Sequence, residues 1–438
     1  MTLKSYKQRT YLDPIHGPIE LHLDDPVENL LTKIIDSKEF QRLRRIRQMG
    51  TGWFTFHGAE HSRFGHSIGT LYIATKMIGH LSKRFFEINK YELQILTTAL
   101  LHDLGHGPFS HTAEKLTGIS HESWTKKIIT GNTEINSLLK DFDKSLPELI
   151  IKVLEYKSCP NYVSQIISSY IDCDRLDYLH RDSYYVGVPY GLTGSERIIA
   201  SLEINNEDKK MVVNENMGLD AIIHYLQARY SMYQQVYQHK KNIACDFLLK
   251  KIIQRMKKNK PENISKSFLE WLNPENYPIE KININSYLQT DDFTLLSIIQ
   301  NYGNTETKDE VLSDLCNRFI NRKLFKSLEF RQEISKDKIQ DALEKIKVIS
   351  ETKGFNSEYF AGMEQSATKP YEPYIADSSK TSKAIFIKQK NGLVKELSEV
   401  SGLVKALSQE NIVKTCLIFT PELEGEINNI KGFHELFK

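Results

Sequence analysis

A histidine and an aspartate adjoin at the end of an apolar segment, where His102-Asp103 follows Leu100-Leu101. Gly105 and Gly107 come directly afterwards, which is typical of a helix end. An imidazole and a carboxylate held at a rigid helix end are able to bind a ligand, although such pairs are common by chance. The pair therefore indicates a functional site only if the rest of the chain supplies partners for it.

The chain does supply candidate partners, because eight of its 14 histidines lie between positions 57 and 121. Isolated histidines usually lie on a helix surface or are hydrogen-bonded in a core. Four potential metal ligands, however, fall at distinct predicted helix ends: His66, His102, Asp103 and Asp174. Such a mixed nitrogen and oxygen set suits Mn, Fe, Co, Ni or Zn, and Mg less well. A divalent ion with open coordination positions would lower the pKa of a bound water and produce a nucleophile.

The composition is that of an ordinary globular protein. Of the 438 residues, 26% are charged and 40% are hydrophobic, and the net charge of +2 gives no global field that would favour nucleic acid or a membrane as partner. The five cysteines are scattered without a CxxC pair, which fits a reducing compartment. No apolar run approaches the roughly 18 residues that span a bilayer, so we expect a soluble, cytoplasmic protein.

The elements that must position the histidines follow from hydrophobic periodicity and from glycine breaks. Residues 11–23 indicate a hairpin, and Val27 to Met49 show a helical pattern that Gly50-Thr51-Gly52 ends. The periodicity predicts further helices over Ser67–Arg84 and Tyr91–Leu104, which place His66 and His102 near helix ends. Residues 113–172 indicate several short helices joined by polar loops.

The second half begins with a predicted β-hairpin, formed by Ile198–Ile204 and Lys210–Val213. A long helix is then predicted over Leu219–Met256, and helices continue to about Phe330.

The last hundred residues alternate between helical and strand-like patterns, and a polar run at 364–382 precedes the first predicted strand. Helices are predicted over Lys336–Ile349 and Leu393–Leu407, and strands over Ala384–Lys388 and Ile412–Phe419. We therefore predict one domain over residues 1–330, with its metal-site core at about 50–185, and a small α/β subdomain over 331–438.

The order His66, His102-Asp103, Asp174 resembles the H…HD…D signature of the HD superfamily of metal-dependent phosphohydrolases. The resemblance is closer to the HD-domain deoxynucleoside triphosphate triphosphohydrolases (dNTPases), as a bacterial relative of the vertebrate sterile-alpha-motif/HD-domain dNTPase. It covers most of residues 9–330, and the matching stretches are DPIHGPIELH (13–22), FQRLRRIRQMG (40–50), GAEHSRFGHS (58–67), LHDLGHGPFSH (101–111), IDCDRLDYLHRD (171–182) and VYQHK (236–240). The family implies a mainly α fold, with an HD-domain helical core and small β-hairpins.

The resemblance also implies roles for the histidine-rich stretch. His66, His102, Asp103 and Asp174 correspond to metal ligands. His106, Glu114 and His121 correspond to the catalytic group beside the α-phosphate, with His121 as proton donor and Glu114 orienting its imidazole. The family usually has Asp at the position of Glu114. His111 matches a histidine that contacts the triphosphate, although a helix-capping role would also explain it.

The remaining matches concern substrate binding. Arg63, Arg175 and Arg229 match phosphate-binding positions, and Arg175 stands where the vertebrate member has Lys. Further matches to sugar- and phosphate-contacting residues are Gln48, Met49, Tyr178, Asp182 and Tyr237. Gln48 and Asp182 would hydrogen-bond the 3′-hydroxyl, while Met49 and Tyr237 would crowd out a 2′-hydroxyl and so favour deoxyribose. Tyr178 would contact a phosphate, or would simply pack in a helix.

A guanine-nucleotide effector site, built across subunits in this family, is implied by a third group: Arg9, Asp36, Gln41, Arg44, Arg322 and Lys326. A second effector position is altered, because Asn214-Glu215-Asn216 replaces expected basic residues and Gln235 replaces an arginine, although His239 and Lys240 remain. We therefore expect one effector nucleotide per site, dGTP, linked to assembly of a homotetramer.

The resemblance thus implies hydrolysis of a dNTP substrate to deoxynucleoside and triphosphate. Two alternatives stay open at this stage. One is another HD phosphohydrolase, acting on a nucleoside monophosphate, a cyclic nucleotide or a guanosine alarmone. The other is a nucleotide-sensing or nucleic-acid-binding protein, for which the lysine-rich helix at 240–258 is the suggestive feature. A solvated helix face or a subunit contact explains that helix better.

Overall fold

Helices form most of the chain, as the periodicity predicts, in a computed structural model of the protein. The structure describes residues 7–259, 264–273, 278–304, 309–373 and 383–438.

The N-terminal hairpin is confirmed. Strands β1 (Gln8–Asp13) and β2 (Gly17–His22) pair antiparallel, and Gly17 closes the turn with φ +73°. Helices α1 (Pro26–Asp36) and α2 (Lys38–Gln41) follow. The prediction of one continuous helix from Val27 to Met49 is wrong, because Ser37 is extended and its hydroxyl caps α2 by accepting the Phe40 amide hydrogen.

Three helices carry the histidine-rich site: α3 (Arg63–Leu81), α4 (Glu92–Leu101) and α10 (Cys173–Val186). Helix α3 packs against both of the others, and its buried side chains belong to the main hydrophobic core. Between α4 and α10 the predicted series of short helices is confirmed, with α5 (His111–Thr117), α6 (His121–Thr130), α7 (Glu134–Phe142), α8 (Leu146–Leu154) and α9 (Asn161–Ile167).

The second predicted hairpin forms from β3 (Leu202–Ile204) and β4 (Met211–Asn214), which pair antiparallel. The predicted first strand is wrong at its start, because residues 198–200 belong to helix α11 (Ser195–Ala200).

The predicted long helix is also interrupted, between α12 (Glu215–Met232) and α13 (Lys240–Asn259). A π-helical turn over Tyr233–Tyr237 widens the backbone there, and the Asn242 side-chain amide donates to the Val236 carbonyl (2.9 Å). The turn brings Tyr233 and Tyr237 to the wall of the cavity described below.

Further helices follow α13, and they are α14 (Lys266–Leu272), α15 (Ile284–Leu288), α16 (Asp292–Asn304) and α17 (Glu310–Ile320). The C-terminal helices are α18 (Lys336–Thr352), α19 (Ser357–Phe360), α20 (Leu397–Val400), α21 (Gly402–Gln409) and α22 (Glu424–Asn428).

The C-terminal strands join two sheets. Strands β5 (Lys326–Glu329), β6 (Ala361–Thr368) and β9 (Ile412–Phe419) form an antiparallel sheet in the order β5-β9-β6. Strands β7 (Phe386–Lys388) and β8 (Val394–Glu396) extend the β3-β4 hairpin, where β7 runs parallel to β4.

These strands change two predictions. Strand β6 enters the polar run at 364–382, whose last residues lie outside the described part of the chain. The helix predicted over Leu393–Leu407 is wrong at its start, where β8 precedes α20 and α21. The strand predicted over Ile412–Phe419 is confirmed. The domain boundary at residue 330 stays a prediction, and β5, on its N-terminal side, pairs with β9.

Among the helices that the structure describes, none combines the length and apolar character needed to cross a bilayer.

Candidate active site

The four side chains predicted to bind a metal meet at one point. His66 lies in the first turn of α3, His102-Asp103 directly follows α4, and Asp174 lies in the first turn of α10. His66 Nε2 lies 3.1 Å from Asp174 Oδ1 and 3.5 Å from Asp103 Oδ2. His102 Nε2 lies 3.6 Å from Asp174 Oδ1 and 3.5 Å from Asp103 Oδ1. Three separate helices therefore supply one compact donor set.

Both imidazoles are oriented by their other nitrogen. His66 Nδ1 donates to Asp177 Oδ2 (2.7 Å), and His102 Nδ1 donates to the Ala99 carbonyl (2.8 Å). The two Nε2 atoms are buried and have no hydrogen-bond partner among the described residues. This is the arrangement of metal-binding histidines, whose second nitrogen is fixed by a carboxylate or carbonyl. The donor set thus fits a divalent metal ion.

The carboxylates around the metal-ligand set favour a positive charge between them. Burial opposes protonation of His66, but the nearby carboxylates of Asp174, Asp177 and Asp103 outweigh it and raise the pKa of His66 to about 10. Burial likewise opposes ionisation of Asp103, yet the charge of Arg63 and the neighbouring histidines lower the pKa of that carboxyl well below its ordinary value. A bound cation would supply the positive charge that these carboxylates favour.

The predicted catalytic group lies beside the metal-ligand set. His106 and His121 stack with ring centroids 3.8 Å apart, and His106 Nε2 lies 3.3 Å from Asp103 Oδ1. Glu114 Oε2 accepts from His121 Nδ1 (2.9 Å) and from His111 Nδ1 (3.2 Å). Burial opposes ionisation of Glu114, but these two hydrogen bonds lower the pKa of its carboxyl below the ordinary value. Glu114 is thus placed to orient both imidazoles.

A cavity of about 760 Å³ opens over both groups. The predicted substrate-binding residues on its wall are Gln48, Met49, Arg63, His111, Tyr178, Asp182 and Tyr237. Asp182 accepts from His61 Nε2 (2.7 Å) and from the Tyr237 hydroxyl (2.8 Å). The side-chain oxygen of Gln48 is buried and has no partner among the described residues.

The three arginines predicted to bind phosphate differ in their surroundings. Arg63 lines the cavity, donating to Ser110 Oγ (2.8 Å) and pairing with Asp103. Arg175 pairs instead with Asp172. Arg229 donates to the carbonyls of Lys369 and Pro370, from the segment after β6, so it faces the C-terminal part of the chain.

The residues predicted to bind an effector form two groups in the single chain. Arg9 pairs with Asp36, and Arg44 Nε donates to Gln41 Oε1 (2.8 Å). Gln41 Nε2 also donates to the carbonyl of Ile35, the neighbour of Asp36 (2.7 Å), so the two pairs lie close together.

Arg322 and Lys326 have different neighbours. Arg322 donates to the Phe54 carbonyl (2.9 Å), and Lys326 pairs with Glu424 (3.1 Å). Within the described ranges, no hydrogen bond or ion pair of one chain joins these two residues to the N-terminal four.

Several residues of the site are not predicted by the sequence motifs. Asp177 accepts from His16 Nε2 (2.6 Å) and from Arg181 as well as from His66, and its i, i+3 spacing from Asp174 on α10 was an available signal. Asp246 accepts from the hydroxyls of Thr51 (2.5 Å) and Thr112 (2.8 Å) at the cavity wall.

The C-terminal strand β6 also reaches the cavity, through Ser366, Ala367 and Thr368. No local sequence signal marks these three residues, because only the pairing of β6 with β9 places them there.

Known proteins resemble this chain in sequence and structure. The family model described as "HD domain" matches residues 63–182. "Uncharacterized protein YwfO" of Bacillus subtilis is 35% identical over 92% of this chain and 90% of its own length. A phosphohydrolase crystal structure from Bacteroides thetaiotaomicron superposes with a TM-score of 0.77, at 28% identity, over 94% of this chain and 100% of that one.

A further relative has a named activity. "Deoxynucleoside triphosphate triphosphohydrolase SAMHD1" of Homo sapiens is 31% identical over 275 residues, which is 54% of this chain and 43% of that protein. The chain thus matches less than half the length of SAMHD1. The HD-domain match covers the metal-ligand set, and the YwfO match extends over nearly the whole chain. The chain therefore belongs to the HD-domain phosphohydrolase family of which the SAMHD1 dNTPases are members.

Proposed function

We propose that the chain is a metal-dependent dNTP triphosphohydrolase, which converts a dNTP and water to deoxynucleoside and inorganic triphosphate. The observation that carries the proposal is one cavity whose wall combines the metal-ligand carboxylates, the His106–Glu114–His121 group and the Asp182–Tyr237 pair. The resemblance to SAMHD1 supports the choice of substrate.

The metal would be held by His66, His102, Asp103 and Asp174, whose donor atoms already face one another. When bound, it would supply Lewis acidity and a lowered pKa of coordinated water. The mixed nitrogen and oxygen set suits Mn, Fe, Co, Ni or Zn, and Mg less well.

His121 would donate a proton to the 5′-oxygen that leaves the α-phosphorus. Its Nδ1 is fixed on Glu114, which leaves Nε2 to act toward the substrate. The His106 ring stacks on the His121 ring and so helps to fix its orientation. Burial lowers the pKa of His106 well below its ordinary value, so this imidazole stays neutral at pH 7.

Two hydrogen-bond acceptors on the cavity wall, Gln48 and Asp182, would recognise the 3′-hydroxyl of the sugar. The orphaned oxygen of Gln48 would accept a hydrogen bond from the 3′-hydroxyl, and this would remove the cost of leaving it buried without a partner. The Asp182 carboxylate, held by Tyr237 and His61, lines the same wall and would be the alternative acceptor for this one hydroxyl hydrogen. Met49 and Tyr237 would leave no room for a 2′-hydroxyl.

The triphosphate would lie toward Arg63 and His111 on the cavity wall. Arg229 would exchange the Pro370 carbonyl for a phosphate oxygen, and Arg175 lies on the same helix as Asp174. A guanidinium keeps its charge at pH 7 and binds phosphate oxygens in pairs.

A guanine nucleotide, dGTP, is further proposed as an activator linked to a homotetramer. The Arg9–Asp36 and Gln41–Arg44 pairs offer a carboxylate and an amide for the guanine edge and cations for phosphates. Arg322 and Lys326 would reach the same nucleotide from a second subunit. Asp36→Ala should abolish stimulation by dGTP, and light scattering should show loss of the dGTP-dependent tetramer. Equal stimulation of wild type and variant would contradict this site.

The experiment that tests the substrate is hydrolysis of each dNTP with each candidate metal, with and without dGTP, followed by separation of the products. We expect deoxynucleoside and triphosphate from the wild type and neither from the H102A/D103A double variant. Release of pyrophosphate or orthophosphate instead would favour another HD phosphohydrolase. Absence of hydrolysis, with salt-dependent binding of RNA or DNA, would favour a nucleic-acid-binding protein.

A further inference from the structure

The loop that carries His106 has a strained backbone. This catalytic loop, Gly105–Ser110, connects the metal-ligand pair to α5. Phe109 and Ser110 adopt φ angles of +54° and +53°, in the left-handed region that side chains other than glycine disfavour. Two successive residues in this conformation persist only when their surroundings hold them, and such positions cluster at functional sites.

A distant segment, Tyr287–Asp292, holds this loop, and we call it the bracing segment. The Tyr287 hydroxyl donates to the Gly105 carbonyl (2.6 Å), and the Tyr287 ring stacks on Trp124 at 3.6 Å. Arg42 donates to the Thr290 carbonyl (2.7 and 3.0 Å) and, through Nη1, to the His106 carbonyl (2.8 Å). Gly105 is thus fixed directly to the bracing segment, 182 positions away, and His106 is fixed to it through Arg42.

Asp292 makes the third attachment, at the strained residues themselves. Its Oδ1 accepts from the Phe109 amide (2.7 Å), and its Oδ2 accepts from the Arg47 amide (2.9 Å). The side chain is fully buried. Burial raises the pKa of Asp292 to about 6, so the carboxyl is mostly ionised at pH 7, where it can accept from both amides.

Asp292 holds the backbone at Phe109 and at Arg47, and Ser110 joins these two segments a second time. Ser110 Oγ donates to the Arg47 carbonyl (2.8 Å) and accepts from Arg63 Nε (2.8 Å), and Arg63 pairs with Asp103. A buried carboxylate on α16 therefore fixes the loop between His106 and His111 and, through Ser110, the arginine beside the metal-ligand set.

We propose that Asp292 is a positioning residue of the phosphohydrolase reaction, which holds the catalytic loop so that His106 and His111 face the substrate. This inference rests on the proposed function of the site. Asp292 touches neither the substrate cavity nor a metal ligand, so its loss should leave the metal content unchanged and should lower kcat more than it raises KM.

The test compares Asp292→Asn and Asp292→Ala with the wild type and with a matched control, Asp291→Asn. Asp291 is also buried but contacts Arg45 and Thr294 rather than the loop. We expect kcat to fall by about tenfold to hundredfold in Asp292→Ala, less in Asp292→Asn, which keeps one acceptor, and little in Asp291→Asn. Bound metal should stay within about twofold of wild type, and the rise in KM that follows from displacing His111 and Arg63 should be smaller than the fall in kcat.

Hydrogen exchange on peptides covering residues 105–111 supplies a readout independent of activity. Faster exchange confined to this loop in Asp292→Asn, with the rest of the protein protected, is the expected result. Asp292 variants that match Asp291→Asn in both kcat and loop exchange would overturn the proposal, as would a loss of kcat that merely follows loss of metal. A wild-type protein that releases no triphosphate would contradict the proposed function. The hydrogen-exchange measurement would still show whether Asp292 holds the loop.

Discussion

Asp177 is a buried carboxylate beside the metal-ligand set on which three side chains converge. It accepts from His66, His16 and Arg181 and is fully buried. A carboxylate in this position fixes the imidazole orientation and increases its basicity as a ligand. The contact between His16 and Asp177 spans 161 positions, so no local pattern predicts it, whereas the four ligands themselves follow from their motif.

We predict that Asp177→Asn weakens metal binding by about tenfold to hundredfold, because the amide holds His66 less firmly. Metal titration followed by measurement of bound metal checks this. Asp314→Asn, which removes a carboxylate–arginine pair at Arg318, is the control and should bind metal normally. Unchanged affinity in Asp177→Asn would show that His66 needs no such support.

The proton donor is tested separately. His121→Ala should lower kcat by about 10²- to 10⁴-fold with metal content unchanged, because general acid catalysis is lost while the ligand set is intact. His224→Ala, at an exposed position of α12, is the control. A His121→Ala enzyme with near-normal kcat would rule out His121 as the general acid.

At the scale of elements, α3 and α10 must approach closely for His66 to reach both Asp174 and Asp177. Gly69 allows this approach, since a Cβ there would lie 1.9 Å from Asp177 Oδ1 and 2.3 Å from Arg181 Nη2. A Cβ added at Gly79, on the same helix, would meet no atom within 4 Å. The pair therefore offers a substitution and its control within one helix.

Gly69→Ala should lower the melting temperature and reduce bound metal, because the added methyl group displaces the Asp177 side chain. Gly79→Ala should leave the free energy of unfolding unchanged or raise it by about 0.5–1 kcal/mol, as expected when alanine replaces glycine in a helix. Thermal unfolding and metal content measure both effects. Equal behaviour of the two variants would contradict the close packing of α3 on α10.

The elements also show where prediction from sequence succeeds. Helices α3 and α4 formed where expected, as did strand β9. The errors lie where a local hydrogen bond overrides periodicity, as at Ser37, or where strand pairing decides, as at β6 and β8. Strand β6 is specified by its partner β9, about 50 positions later in the chain.

At the scale of the whole molecule, residues far apart in sequence complete one cavity. Helix-end histidines supply the chemistry, the turn between α12 and α13 supplies Tyr233 and Tyr237, and β6 supplies its last three residues. The HD motif predicted the histidines at the helix ends. The contribution of β6 depends on strand pairing across about 50 positions, and the bracing by Asp292 depends on contacts across 183 and 245 positions. Periodicity and motifs encode neither.

The contribution of β6 predicts that Thr368→Trp raises KM for the nucleotide, because a larger side chain takes volume from the cavity. Bound metal should be unchanged. Steady-state kinetics with Thr368→Ser as the conservative control measures the effect. A normal KM in Thr368→Trp would place the substrate away from β6.

The central claim, that water attacks the α-phosphorus and intact triphosphate leaves, is tested most directly by hydrolysis of a dNTP in ¹⁸O-labelled water. Mass spectrometry of the products should find one ¹⁸O in inorganic triphosphate and none in the deoxynucleoside. Label in the deoxynucleoside, or release of labelled orthophosphate or pyrophosphate in place of triphosphate, would contradict the account.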